Sequence, residues 1–141
     1  MTTAPVKIER SLNVPATVVW EALTDPDQMK QWYFDLPGFR ADVGYEFSFK
    51  GGPDEGRPYV HLCKVTEVIK EKKLSYTWRY EGFAGNSTVS FILREEGNIT
   101  HLQIIHEGLE SFPKDNTDFA ANNFEEGWTW FGDSIKKFVE S

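Results

Sequence analysis

Cysteine is almost absent from this chain of 141 residues, which contains Cys63 and no second thiol. A single thiol excludes an internal disulfide, and a chain of this length can bury enough surface to fold without one. No apolar run approaches the ~20 residues that cross a bilayer, and the N-terminus lacks the basic and apolar segments of a signal peptide. We therefore expect one soluble, cytoplasmic domain over residues 1–141, with no membrane insertion.

Basic residues and metal ligands are also scarce. The chain has 15 Lys and Arg against 22 Asp and Glu, so its formal net charge is −7. Binding to nucleic acid needs clustered basic residues, and the densest group, KEKK at 70–73, contains a glutamate. His101 and His106 lie five positions apart on one predicted strand, so they point to opposite faces and cannot share an ion. We expect no nucleic-acid partner, no metal and no cofactor.

The spacing of the hydrophobic residues changes along the chain, and each spacing predicts a strand or a helix. Residues 6–14 alternate as a half-buried strand, and two short helices are predicted to begin at Pro15 and Asp25. Five further strands are predicted at 45–50, 59–69, 74–80, 87–93 and 100–106. A long helix is predicted in residues 122–141. The simplest packing is an α+β fold, with a curved antiparallel sheet whose apolar face is covered by the last helix.

The last helix is amphipathic, with an apolar stripe formed by Phe124, Trp128, Phe131, Ile135 and Phe138. Glycine in a helix interior costs roughly 0.5–1 kcal/mol relative to alanine, and this helix contains two glycines. Gly127 lies on a flank of small residues beside the stripe, which predicts a hollow that either packs closely on the sheet or holds a ligand. Gly132 is expected on the solvent side, where it marks a bend.

Several polar side chains are in phase with the inward apolar positions of the strands. They are Arg10, Tyr45, His61, Cys63, Tyr76 and His106. Buried polar groups need partners, so this face should contain a hydrogen-bond network, bound water or a polar group of a ligand. His106 is the strongest candidate for a donor or acceptor, and Tyr45 or Tyr76 could orient a carbonyl or hydroxyl group. Cys63 is interpreted as an inert core residue in preference to a nucleophile, and the pairs Glu95/Glu96 and Glu125/Glu126 as solvated.

Four segments carry a family resemblance: IERSLNVPATVVWEALTDPDQMKQWYF at 8–34, VGYEFSF at 43–49, STVSFILREEGNITHLQIIHEGLE at 87–110 and GWTWFGDSIKKFV at 127–139. The chain resembles the START-like superfamily, also called the SRPBCC or helix-grip fold. Within it, the chain is similar to the bacterial family related to the C-terminal domain of the activator of the ninety-kilodalton heat-shock-protein ATPase. The resemblance implies a six-stranded antiparallel sheet gripping the C-terminal helix, with two short helices between the first two strands and a cavity inside.

Three hypotheses about function remain open. The first is a protein that binds a small apolar or aromatic ligand between the sheet and the last helix. Its candidate ligand-binding residues are Tyr45, Phe47, His61, Cys63, Tyr76, Trp78, Phe91, Ile104, His106, Phe124, Gly127, Trp128 and Phe131. The second is an interaction module that contacts a chaperone or a client protein. The third is an enzyme that uses an inward His–Tyr pair, although no catalytic motif and no catalytic residue is identified.

Two loops are predicted to form the mouth of the cavity. They are GGPDEGRPY at 51–59 and GLESFPKDNTDFAANNF at 108–124. Long loops often act as lids, although the second segment can equally be an ordinary connection to the last helix.

Overall fold

A computed structural model describes residues 5–51, 59–113, 115 and 119–141. Strand β1 spans Val6–Leu12 and is followed by helices α1 (Ala16–Thr24) and α2 (Pro26–Trp32). Five strands follow: β2 Glu46–Gly51, β3 Tyr59–Ile69, β4 Lys73–Tyr80, β5 Ser87–Glu96 and β6 Ile99–Glu107. A 3-10 turn at Leu109–Ser111 precedes the long helix α3, Ala121–Val139. Residues 52–58 of the proposed loop at 51–59, and residues 114 and 116–118 of the proposed loop at 108–124, lie outside the described residues.

The six strands form one antiparallel sheet in the order β1-β6-β5-β4-β3-β2. Short turns join β3 to β4 and β5 to β6, and Gly97, at φ 64°, supplies the left-handed backbone that the tight β5–β6 turn requires. The pairing of β3 with β4 shifts register between Val65 and Glu67, and a bulge of this kind increases the bend of a strand. The predicted α+β fold, with a curved sheet around a C-terminal helix, is confirmed.

The inner face of the sheet is set by alternation along the strands. On β4, Leu74, Tyr76, Trp78 and Tyr80 are all buried. The register then aligns inward residues across strands: Val89 lies opposite His106, and Phe91 lies opposite Ile104. Because a period of two places every second side chain on one side, α3 can cover this face along its length.

The two short helices begin with different caps. Asp25 accepts a 3.1 Å hydrogen bond from the Asp27 backbone N–H at the start of α2, where Pro26 occupies the first helical position. Helix α1 lacks a cap from its own N-cap residue, Pro15, and instead the Ala16 N–H donates to Glu95 Oε2 at 2.7 Å. Glu95 is exposed, as predicted, and its carboxylate also joins β5 to α1.

The predicted position of Gly132 is also wrong. Gly132 is buried, and a Cβ atom added there would lie 3.3 Å from Arg10 Cγ and 3.4 Å from Ile8 Cγ2. Helix α3 therefore crosses β1 closely at this point, where a larger side chain would have to displace the side chains of Arg10 and Ile8. A helical wheel shows that Gly132 lies away from the apolar stripe of α3. It does not show that β1 packs against that side of the helix.

Helix α3 is also fixed by polar contacts in its second half. Ser134 Oγ donates to the Trp32 carbonyl at 2.9 Å, and Arg10 Nε donates to Asp133 Oδ1 at 2.8 Å. The first contact joins α3 to the end of α2, and the second joins it to β1. Among the described residues, no helix is both long enough and apolar enough to cross a membrane.

Candidate functional site

A cleft of about 500 Å³ lies between the first half of α3 and the sheet, where the start of β3 pairs with the end of β4. Its volume is within the range of small-molecule sites, which are mostly apolar clefts with a few polar groups. The described residues that line it are Phe34, His61, Trp78, Tyr80, Asn123, Phe124, Glu126, Gly127, Trp128, Trp130 and Phe131. The cleft is therefore an aromatic site with a small number of polar side chains.

Six of the predicted ligand-binding residues line this cleft. They are His61, Trp78, Phe124, Gly127, Trp128 and Phe131. Sequence reasoning missed Phe34, Tyr80, Asn123, Glu126 and Trp130 as lining residues. Tyr80 could have been found, because it continues the inward alternation of Trp78 on β4. Phe34 lies between α2 and β2, where no periodicity marks a side chain as inward-facing.

Gly127 forms the floor of the cleft on the helix side. A Cβ atom added at this glycine would meet no heavy atom within 4 Å, so the helix leaves open space there. Trp128 and Phe131, which flank this space, lie with ring centroids 5.8 Å apart. Of the two predicted roles for the hollow, close packing is therefore excluded at Gly127.

Two polar side chains, His61 and Tyr80, are placed in the wall of the cleft. His61 Nδ1 lies 3.1 Å from the Tyr59 carbonyl oxygen, so Nδ1 carries the ring proton and Nε2 is the acceptor of the neutral ring. Burial lowers the pKa of His61 to about 4, so the ring is neutral at pH 7. The Tyr80 hydroxyl accepts from Trp78 Nε1 at 2.9 Å and keeps its own proton for donation. The wall thus contains two neutral side chains that can form hydrogen bonds.

The deeper space between sheet and helix is occupied by Tyr33. Its hydroxyl lies 2.6 Å from that of Tyr76, and its ring stacks on Trp32 at a centroid distance of 4.8 Å. The ring is also 4.8 Å from Phe131, which borders the cleft. Burial raises the pKa of both tyrosines well above the usual value. Tyr76 therefore faces inward as predicted, but Tyr33 stands between it and the cleft.

His106 lies beneath the cleft in a closed hydrogen-bond chain. Trp128 Nε1 donates to His106 Nδ1 at 2.9 Å, so the ring proton is on Nε2, which lies 2.7 Å from Ser87 Oγ. Ser87 in turn donates to the Trp78 carbonyl at 2.7 Å. Burial lowers the pKa of His106 to about 3. Both ring nitrogens are thus used within the protein, and the chain holds Trp128, a wall of the cleft, against β5 and β6.

The remaining predicted residues lie away from the cleft. Tyr45 donates its hydroxyl proton to the Gly38 carbonyl at 3.0 Å, and Phe47 packs on Tyr76 at a centroid distance of 5.1 Å. Phe91 and Ile104 are opposite each other in the buried face of the sheet. Cys63 is buried, and burial raises the pKa of its thiol, so little reactive thiolate forms near neutral pH.

The described residues contain no group of three or more His, Cys, Asp or Glu side chains arranged to hold a metal. The predicted acid–base pair is not formed as a direct hydrogen bond, because His106 contacts Ser87 and Trp128 while Tyr76 contacts Tyr33. The described side chains that line the cleft are mostly aromatic rings, with a few neutral hydrogen-bonding groups and one carboxylate, Glu126. That set is suited to holding a molecule by shape and by a few hydrogen bonds.

A curved antiparallel sheet around a C-terminal helix, with a cleft between them, defines a helix-grip protein. The sequence profile of the Activator of Hsp90 ATPase homolog 1-like protein family matches residues 13–140. The chain belongs to that family, as its sequence motifs predicted. No curated protein sequence matches the chain at a significant level.

Solved structures share this fold over nearly the whole chain. The MLL2253 protein of Mesorhizobium loti is 28% identical, with a TM-score of 0.81 and 96% of each chain covered. The BH1534 protein of Bacillus halodurans is 26% identical, with a TM-score of 0.74 and 99% of each chain covered. DynU16, described as a protein in the dynemicin biosynthetic locus, is 22% identical with a TM-score of 0.79, and the match covers 99% of this chain and 48% of DynU16. The likeness to DynU16 concerns the fold alone.

Proposed function

We propose that this protein binds a small, mostly apolar molecule in the cleft beside Gly127. The observation that carries the proposal is the unfilled space at this glycine, which is walled by aromatic rings. Glycine costs roughly 0.5–1 kcal/mol in a helix interior, and at Gly127 no neighbouring atom requires it. An unoccupied apolar hollow gains stability when a ligand supplies the missing contacts.

The polar groups of the wall define what such a molecule should carry. His61 Nε2 accepts and the Tyr80 hydroxyl donates, so one hydroxyl group on the ligand can satisfy either partner. Both protein groups are neutral at pH 7, which favours a neutral phenol or alcohol over a carboxylate at this end of the cleft. We therefore assign the inner end of the cleft to a hydroxyl-bearing aromatic ring.

The test is a titration with 3-tert-butylphenol, followed by calorimetry and by the fluorescence of the tryptophans in the wall. At a concentration 100-fold above its dissociation constant, a bound ligand should stabilise the protein by about 2.7 kcal/mol. tert-Butylbenzene, which lacks only the hydroxyl, should bind more weakly because His61 and Tyr80 then lose their partner. Equal affinities for the two compounds would contradict the assigned roles of His61 and Tyr80.

Gly127→Leu is the matched control protein for this titration. Its Cβ meets no atom within 4 Å, so the variant should fold, and the leucine side chain should then occupy the hollow. Loss of binding by a folded Gly127→Leu protein supports the site. Binding of 3-tert-butylphenol with undiminished affinity to this variant would place the ligand elsewhere and overturn the proposal.

A second candidate function is favoured by Trp130, which is 63% exposed on the outer edge of the cleft. Exposed tryptophans are enriched in protein interfaces, and the family profile that matches the chain carries the name of a chaperone-ATPase activator. Under this alternative, Trp130 contacts the ninety-kilodalton heat-shock protein. Stimulation of that ATPase by the wild type and its loss in Trp130→Ala would support this function. An ATPase rate that the wild type leaves unchanged would exclude it.

A further inference from the structure

The aromatic rings at the outer end of the cleft do not form a flat slot. Trp128 and Phe131 meet at an interplanar angle of 51°, and Trp130 and Phe131 at 78°. The centroid distances in these two pairs are 5.8 and 5.2 Å, so the rings pack directly on one another. Trp130 nevertheless remains 63% exposed, and an exposed ring can receive a cationic group on its face.

The charge beside this group of rings is negative. Glu126 is the only charged side chain among the described residues that line the cleft. Two helical turns further along, Asp133 is paired with Arg10, whereas neither Glu125 nor Glu126 forms an ion pair with another described residue. The net charge of the chain, −7, adds a field that attracts cations and repels anions.

From these two observations we propose that the outer end of the cleft binds a quaternary or tertiary ammonium group. The faces of Trp130 and its neighbouring rings supply cation–π attraction, and the Glu126 carboxylate supplies the opposite charge. The proposal rests on the proposed function, because it assigns the second end of the same ligand. The ligand class becomes an aromatic molecule with a hydroxyl at its inner end and a rounded cationic group at its outer end.

The test compares two molecules of the same shape. 3-Hydroxyphenyltrimethylammonium and 3-tert-butylphenol differ in one atom, the positively charged nitrogen that replaces a carbon. We expect the cation to bind about five- to thirtyfold more tightly, which is the range that cation–π contacts give in partly desolvated sites. The preference should fall as salt is raised, because Glu126 is exposed to solvent.

Two substitutions test whether the preference arises at the residues named. Trp130→Leu keeps an apolar side chain but removes the ring, so it should weaken the cation by a larger factor than the neutral phenol. Glu126→Gln should also reduce the ratio of the two affinities, by about two- to fivefold. Glu125→Gln is the matched control, because it removes the same charge one position away from a residue that lines the cleft.

The outcomes separate this inference from the function on which it rests. If 3-tert-butylphenol binds at least as tightly as the cation, the cleft is a ligand site without an ammonium subsite, and the inference is overturned. A preference that Glu125→Gln reduces as strongly as Glu126→Gln would also overturn it, since the effect would then come from the overall charge. If neither molecule binds to the folded wild type, both the inference and the proposed function fail.

Discussion

The two halves of helix α3 differ in how they meet the sheet, and each half contains one of the two glycines. At Gly132 the helix lies so close to β1 that an added Cβ atom would be 3.3 Å from Arg10 Cγ. At Gly127, five residues earlier, an added Cβ atom would have no neighbour within 4 Å. The same residue type therefore serves close packing in one half and an open cleft in the other. Sequence spacing alone cannot distinguish these roles, because both glycines cost helix propensity equally.

The largest expected effect concerns pH and two buried histidines beside the open half of α3, His61 in the wall of the cleft and His106 beneath it. Burial lowers their pKa values from 6.5 to about 4 and about 3. Between these values and pH 6.5, the histidines are therefore protonated in the unfolded chain and neutral in the folded chain. The stabilising contribution is complete above pH 6.5 and is lost as pH falls toward the folded-state values. From pH 7 to pH 5, each histidine should cost roughly 2 kcal/mol of unfolding free energy.

Urea denaturation at the two pH values measures this loss. His61→Gln and His106→Gln should each remove about half of the pH dependence, because each variant eliminates one of the two titrations. A wild-type protein equally stable at pH 7 and pH 5 would show that these rings are not held neutral by burial.

The next effect tests the closed half directly. Gly132→Leu should destabilise the protein by about 1–3 kcal/mol or more, since the added atoms must displace Ile8 and the Arg10 side chain from the helix. Arg10 cannot move freely, because its guanidinium donates to Asp133 at 2.8 Å and to the Glu9 carbonyl at 2.7 Å. Thermal and urea unfolding should show a larger loss of unfolding free energy in Gly132→Leu than in Gly127→Leu. Equal losses of stability in the two variants would contradict this expectation.

The next effect concerns the space between the cleft and the sheet, where the hydroxyl oxygens of Tyr33 and Tyr76 are 2.6 Å apart. Tyr33→Phe should cost about 1–2 kcal/mol, because it leaves the fully buried hydroxyl of Tyr76 without its partner. Tyr76→Phe should cost a similar amount, because the Tyr33 hydroxyl, whose pKa is also raised by burial, then loses its partner. In the double variant no hydroxyl is left unpaired, so its loss should be smaller than the sum of the single losses. Additive losses would show that the bond contributes nothing.

The fold could be predicted because its signals are local. Alternation at Leu74, Tyr76 and Trp78 and the cap at Asp25 depend on neighbours a few positions away, and the structure confirms the order of elements that they predict. His106 was predicted to face inward on the same basis. Its partners Ser87 and Trp128 are 19 and 22 positions away, so no local pattern could show that they use both ring nitrogens.

The candidate site could be predicted only in part, because it depends on segments that cross the sheet. Phe34 and Tyr33 come from the irregular connection between α2 and β2, and their inward positions follow from tertiary packing alone. Gly127 was recognised as unusual because its cost is intrinsic to any helix. Whether that cost serves packing or a cavity depends on how far the sheet lies from α3, which the spacing of residues along one helix does not specify.

The smallest expected effect is a gain of stability in the open half. Gly127→Ala should stabilise the protein by about 0.5–1 kcal/mol, since alanine favours the helix and its methyl group meets no atom within 4 Å. One methyl group fills little of a cleft of about 500 Å³, so 3-tert-butylphenol should still bind. Urea unfolding and calorimetry on the same preparation check both statements. A loss of stability in Gly127→Ala would mean that the sheet approaches this glycine as closely as it approaches Gly132, and that the two halves of α3 do not differ.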